Sequence, residues 1–113
     1  MGDLKFKNMI RVAFKMQLFA GYESEYKKRH EELWPELEKL LKDSTIKDYS
    51  IFWDQSTNSL FAIMRVANKE LLDSLPDEPV MKLWWKYMAD IMETNADNSP
   101  TSFPLEEVFY LEL

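Results

Sequence analysis

Few side chains in this chain can move a proton near neutral pH, since it contains a single histidine, His30, and no cysteine. An imidazole with an unperturbed pKa near ~6.5 both gives and takes protons, and positioned acid–base help typically contributes about 10²–10⁴ in rate. Tyr26 precedes His30 by one helical turn in EYKKRH, which puts phenol and imidazole on one helix face. Trp84 and Trp85 lie in KLWWKYM. Indole faces suit the apolar C–H side of a sugar, and indole Nε1–H donates to a hydroxyl. Tyr49 points to the same side of its strand as Ile51 and Trp53, so its phenol can reach a pocket over the sheet. Blander readings stand beside these. Spacing alone favours an ordinary helix histidine after Lys27, Lys28 and Arg29, a run that reads as a solvated face. Adjacent helix residues diverge by about 100°, so Trp84 and Trp85 meet one ligand only near a helix end or cleft, and core packing of at least one is simpler. Trp34 and Trp53 read as core or interface residues.

Composition narrows the chemistry further. The 113 residues suffice for one domain, and hydrophobic residues at 46% with charged residues at 30% describe a globular chain. A net charge of −6 disfavours nucleic acid and anionic membranes as partners. No apolar run approaches the ~20 residues of a spanning helix, and no signal-peptide stretch is seen, so a cytoplasmic location is expected. The absence of cysteine removes disulfides, thiol nucleophiles and thiolate metal sites, and two glycines cannot build a phosphate-cradling loop. With a single histidine besides, any metal would need mostly carboxylate ligands, and nucleotide cofactors are not expected.

The elements that must position these residues follow from periodicity. Met9 to Leu18 alternates as a half-buried strand. Tyr22, Tyr26, His30, Leu33, Leu37 and Leu40 form a helical stripe to about Lys42, with a kink or fresh start expected at Pro35. Asp48 to Asp54 and Ser59 to Val66 read as strands joined in a hairpin through residues 55–58. Asn68 can cap a short helix to about Leu75, and Pro79 opens a helix to about Met92. After a polar loop at residues 95–104, Leu105 to Leu113 is predicted as the last strand. This order is the split βαβ pattern of a ferredoxin-like α+β sandwich, with helices on one sheet face. Apolar residues occur at both parities, as in Ile51 and Phe52 or Ile63 and Met64, so a homodimer joined sheet to sheet is expected.

Taken together, the segments MIRVAFKMQL, EYKKRHEELWPEL, YSIFWD, SLFAIM, WWKYMADIM, ADNSP and EVFYL resemble the L-rhamnose mutarotase family over nearly the whole chain. The resemblance implies a dimeric ferredoxin-like fold of the α/β-barrel type that interconverts α and β anomers of L-rhamnose without metal or cofactor. It implies a proton donor at His30 and sugar-binding residues at Tyr26, Tyr49, Trp84 and Trp85, reversing the odds that spacing alone gives His30. Two departures from the pattern are an extension of about eight residues, 1–8, before Met9 and Ala20 before Gly21, where relatives tend to have proline.

Anomer exchange needs loss of the O1 proton, protonation of the ring oxygen, rotation of the aldehyde and reclosure. On this reading His30 as imidazolium protonates the ring oxygen, and an unidentified tyrosine, carboxylate or water accepts the O1 proton. Two alternatives come from other classes. One is a cofactor-free monooxygenase, argued from fold analogy, and the other is a non-catalytic sugar-binding dimer.

Overall fold

Strand β1 (Ile10–Gln17) is central, pairing antiparallel with β3 (Ser59–Val66) on one edge and with β4 (Phe103–Leu105) on the other. The structure is a computed structural model that describes residues 9–113, and the expected extension, residues 1–8, lies outside the described residues. Strand β2 (Ile46–Asp54) pairs with β3, giving the all-antiparallel order β2-β3-β1-β4. That is the ferredoxin-like arrangement expected from the element order.

The local chemistry explains the boundaries. Gly21 adopts φ +89° where the chain leaves β1 for α1 (Glu23–Glu31), a conformation that L side chains rarely adopt. Pro35 produces a fresh start: it sits in the first turn of α2 (Pro35–Asp43), while Trp34 before it is extended, as a residue preceding proline prefers. The β2–β3 turn is held by Asp54, whose carboxylate accepts from Ser56 and Thr57. Asn68 accepts from the Leu71 amide to cap α3 (Lys69–Asp73), which a 3₁₀ turn at Leu75–Asp77 follows. Helix α4 (Pro79–Met88) ends one turn earlier than the periodicity suggests, because residues 91–94 turn back along β1: Leu18 bridges Met92, and the Glu93 amide donates to the Gln17 carbonyl at 2.9 Å.

The helices cover the sheet face formed by Met16 and Leu18 of the first strand segment and Leu60, Ala62 and Met64 of β3, with Leu37, Met88 and Ile91 packed over them. On the other face Phe52, Ile63, Phe103 and Leu105 remain exposed. The final strand differs from expectation. It spans Phe103–Leu105 rather than Leu105–Leu113, and Pro104, which lacks an amide proton, confines it to a short edge ladder. Beyond Leu105 the chain is tied to β1 by side chains: Arg11 bonds Glu107 at 2.7 and 2.8 Å and stacks on Tyr110 at 3.3 Å.

Candidate active site

Between α1, α4 and the covered face of the sheet runs an open groove, and a smaller recess shares its inner lining. The recess brings together all five residues singled out from sequence: Tyr26 and His30 from α1, Tyr49 from β2, and Trp84 and Trp85 from α4. The rest of its lining is apolar, with Met16, Ile51, Met81, Met88, Met92 and Pro100. Charged side chains such as Lys82 and Asp97 line the wider groove only.

The helical spacing acts as predicted. The Tyr26 and His30 rings stack with centroids 4.3 Å apart at 28°, and Trp84 meets the imidazole edge-on at 5.4 Å. Trp84 is buried, so it is both core residue and groove wall, while half-buried Trp85 packs at the margin of the core. Both indoles line the groove from the middle of α4 despite their divergence. Trp34, read as core or interface, packs perpendicular to Trp84 at 5.1 Å. Trp53 is half-exposed and donates through Nε1 to Asn58 Oδ1 at 3.2 Å.

His30 Nδ1 lies 2.9 Å from the Tyr26 carbonyl oxygen. A carbonyl only accepts, so Nδ1 carries the proton, and Nε2 is the nitrogen left for a ligand. Burial in the aromatic wall lowers the His30 pKa, opposed by the bond to the Tyr26 carbonyl. With its proton on Nδ1 the neutral imidazole presents a lone pair at Nε2, and burial favours that neutral form. Burial raises the Tyr49 phenol to about 12 and, with a contribution from Tyr49, pushes the Tyr26 phenol higher still. Both hydroxyls stay protonated at neutral pH and act as donors. Neither phenol, nor the indole N–H of Trp84 or Trp85, has a hydrogen-bond partner among the described residues.

Arg29 was not visible as a site residue. Its expected solvated character fails: the side chain is only 11% exposed, bonding Glu25 and Asp90 and donating to the Tyr87 carbonyl at 2.8 Å. Its guanidinium also lies 4.5 Å over the Tyr87 ring, which packs on Trp34 and Trp84. The only signal in the sequence is Glu25 four residues before Arg29. The ADNSP segment is ordered by its own turn chemistry, with the Asp97 carboxylate accepting from the Ser99 amide and hydroxyl, which sets Pro100 against the recess.

A ferredoxin-like sheet with one neutral imidazole and four unspent donors in an apolar recess defines a class of small-ligand site able to move protons between hydroxyl oxygens. The sequence profile of the L-rhamnose mutarotase family matches residues 11–111. The chain belongs to the L-rhamnose mutarotase family. It is 53% identical over 104 residues to an L-rhamnose mutarotase of Formosa agariphila, covering 92% of this chain and 100% of that protein. A crystal structure of an L-rhamnose mutarotase from the same organism superposes with TM-score 0.85 at 52% identity, covering 91% and 99% of the two chains. A conserved protein of Methanosarcina mazei, with TM-score 0.63, 15% identity and coverage of 93% and 98%, shares the fold alone.

Proposed function

We propose that this protein is a cytosolic mutarotase that interconverts the α and β anomers of L-rhamnose, serving rhamnose metabolism. His30 carries the proton transfer, and Tyr26, Tyr49, Trp84 and Trp85 hold the sugar. The observation that carries this reading is the convergence of these five side chains on one otherwise apolar recess, with their hydroxyl and indole donors unspent. Family membership and the activity named for the Formosa agariphila relative support the substrate.

The reaction moves only protons, so one imidazole and its neighbouring phenols supply the required groups. Loss of the O1 proton and protonation of the ring oxygen open the C1–O bond. The aldehyde rotates and the ring recloses on its other face. Indole walls exclude water and present a flat surface to the sugar C–H groups. Among the described residues no helix is long and apolar enough to cross a membrane. A homodimer through the uncovered sheet face completes the proposal, supported by exposed Phe52, Ile63, Phe103 and Leu105 on that face.

The test is exchange between L-rhamnose anomers followed by NMR magnetisation transfer. The wild type is expected to exceed the buffer rate, and His30→Ala to lose about 10²–10⁴ of that acceleration. Unchanged exchange in His30→Ala would remove the histidine from the reaction. Oxygen uptake on phenolic substrates without anomer exchange would instead favour the monooxygenase class, and rhamnose binding without exchange a non-catalytic role.

A further inference from the structure

We infer that Arg29 is a positioning residue for the proton transfer: its guanidinium clamps the end of α4 and so holds Trp84 edge-on against the His30 imidazole. The part Arg29 plays in catalysis rests on the mutarotase reading above, whereas its hold on the imidazole is a matter of geometry.

Two consecutive residues of α1 meet two residues of α4 that lie one turn apart. His30 meets Trp84 edge-on at 5.4 Å, and the Arg29 guanidinium lies 4.5 Å over the ring of Tyr87. Tyr87 in turn packs on Trp84 with centroids 5.6 Å apart, and Trp34 joins the cluster at 5.1 Å from Trp84 and 5.6 Å from Tyr87. Trp84 thus touches both the imidazole and the ring that Arg29 covers.

Every nitrogen of the guanidinium is engaged. Nε donates to Glu25 at 2.7 Å within α1, Nη1 to the Tyr87 carbonyl and to Asp90 at 2.8 Å each, and Nη2 to the other Asp90 oxygen at 3.2 Å. Near the C-terminus of a helix the carbonyls run out of amide donors, and the helix dipole favours a cation there. Arg29 supplies both to α4 from the neighbouring helix, with its side chain only 11% exposed. A lysine carries the same charge but lacks the planar fork that bonds Asp90 through two nitrogens while lying flat on the ring.

The effect of the clamp is felt at His30. Burial lowers the imidazole pKa, and Trp84, itself 6% exposed, is part of that cover. A loosened Trp84 admits water to the imidazole and displaces a wall of the recess. Other charges stand farther out. Glu23, Lys27 and Glu31 of α1, Lys82 and Lys86 of α4, and Asp73, Asp77 and Asp97 from the adjoining turns line the outer groove, and none lines the recess.

The single histidine makes the test direct, because its ring protons give one imidazole titration by NMR in the intact protein. Arg29→Lys and Asp90→Ala each open the clamp, and the Asp90 side chain is 66% exposed, so its removal leaves no buried gap. Their charge effects differ: the first keeps the cation, and the second removes a carboxylate, which by charge alone lowers a histidine pKa. Both variants are expected instead to raise the His30 pKa toward ~6.5, and to lower kcat/KM for L-rhamnose exchange about 10-fold or more. An unshifted titration in either folded variant, or a lowered value in Asp90→Ala, overturns the clamp. A raised value with wild-type exchange overturns its role in catalysis. If the wild type itself shows no exchange, the mutarotase reading fails, and the two titrations alone decide whether Arg29 holds Trp84 on the imidazole.

Discussion

His30 illustrates how a residue's role depends on two atoms. Its Nδ1 bond to the Tyr26 carbonyl fixes the tautomer of the neutral ring, and its burial against Tyr26 and Trp84 lowers its pKa. This has a measurable effect on stability. The folded-state pKa lies below the unfolded value of ~6.5, so between the two the unfolded chain binds more protons, and stability declines as pH falls through this window. Denaturant unfolding at pH 7 and pH 5 is expected to show a smaller acid loss for His30→Gln than for the wild type. Asp48 and Asp90, held below the usual carboxylate range by Arg65 and Arg29, lose their contribution only below the ~3.9 of an unfolded aspartate, outside this range, so the difference isolates the histidine. An equal acid loss in the two proteins would show that the imidazole is not held neutral by folding. The tyrosine–histidine spacing was legible in the sequence because a helix turn converts sequence distance directly into contact. The tautomer was not legible, because it depends on where a backbone carbonyl points.

At the scale of elements, Arg29 ties α1 to the end of α4 and holds the aromatic wall. It bonds Asp90 just beyond α4, donates to the Tyr87 carbonyl and covers the Tyr87 ring, which packs against Trp84. Removing a nearly buried guanidinium with several charge-assisted bonds is expected to cost about 1–3 kcal/mol, and Arg29→Met tests this by denaturant unfolding. The same variant is expected to lower mutarotation by loosening Trp84, and a variant as stable as the wild type would show that the bonds contribute nothing net. Read from sequence, Lys27, Lys28 and Arg29 form one basic run. In the fold, Lys27 and Lys28 are exposed and Arg29 is not, because the helix rotates each residue to a different neighbour. Pro35 was decisive in both views, since a residue without an amide proton opens α2 wherever it falls.

The whole molecule presents one covered and one open sheet face. Phe52 and Phe103 are about 60% exposed on the open face, at 61% and 60%, and the apolar tail from Val108 to Leu113 lies beyond the β4 ladder. Light scattering of the wild type is expected to give the mass of a dimer, and Phe52→Glu together with Ile63→Glu to give a monomer, since two charges in a joined apolar face would be desolvated. A wild-type monomer, or a charged variant that remains dimeric, would place any association elsewhere. The strand order and helical layer followed from element order, which leaves few ways to pair four strands with two helical crossovers. The last strand was misplaced because LEEVFYLEL has the alternation of a strand, yet pairing is decided by the edge it meets. At that edge only Phe103, Pro104 and Leu105 join β1, while Glu107 and Tyr110 engage Arg11 through side chains.

By itself the sequence determined the element order, the fresh helix start at Pro35, and the pairing of Tyr26 with His30 one helical turn apart, because periodicity and local backbone chemistry act within a few residues. Only the tertiary structure decided that Tyr26, His30, Tyr49, Trp84 and Trp85 meet in a recess without charged walls, that His30 Nδ1 is held by a backbone carbonyl, that Arg29 is largely covered, and that the sheet ends at Leu105. Burial, tautomer and edge pairing are properties of groups brought together from distant parts of the chain, and they exist only once the chain has folded.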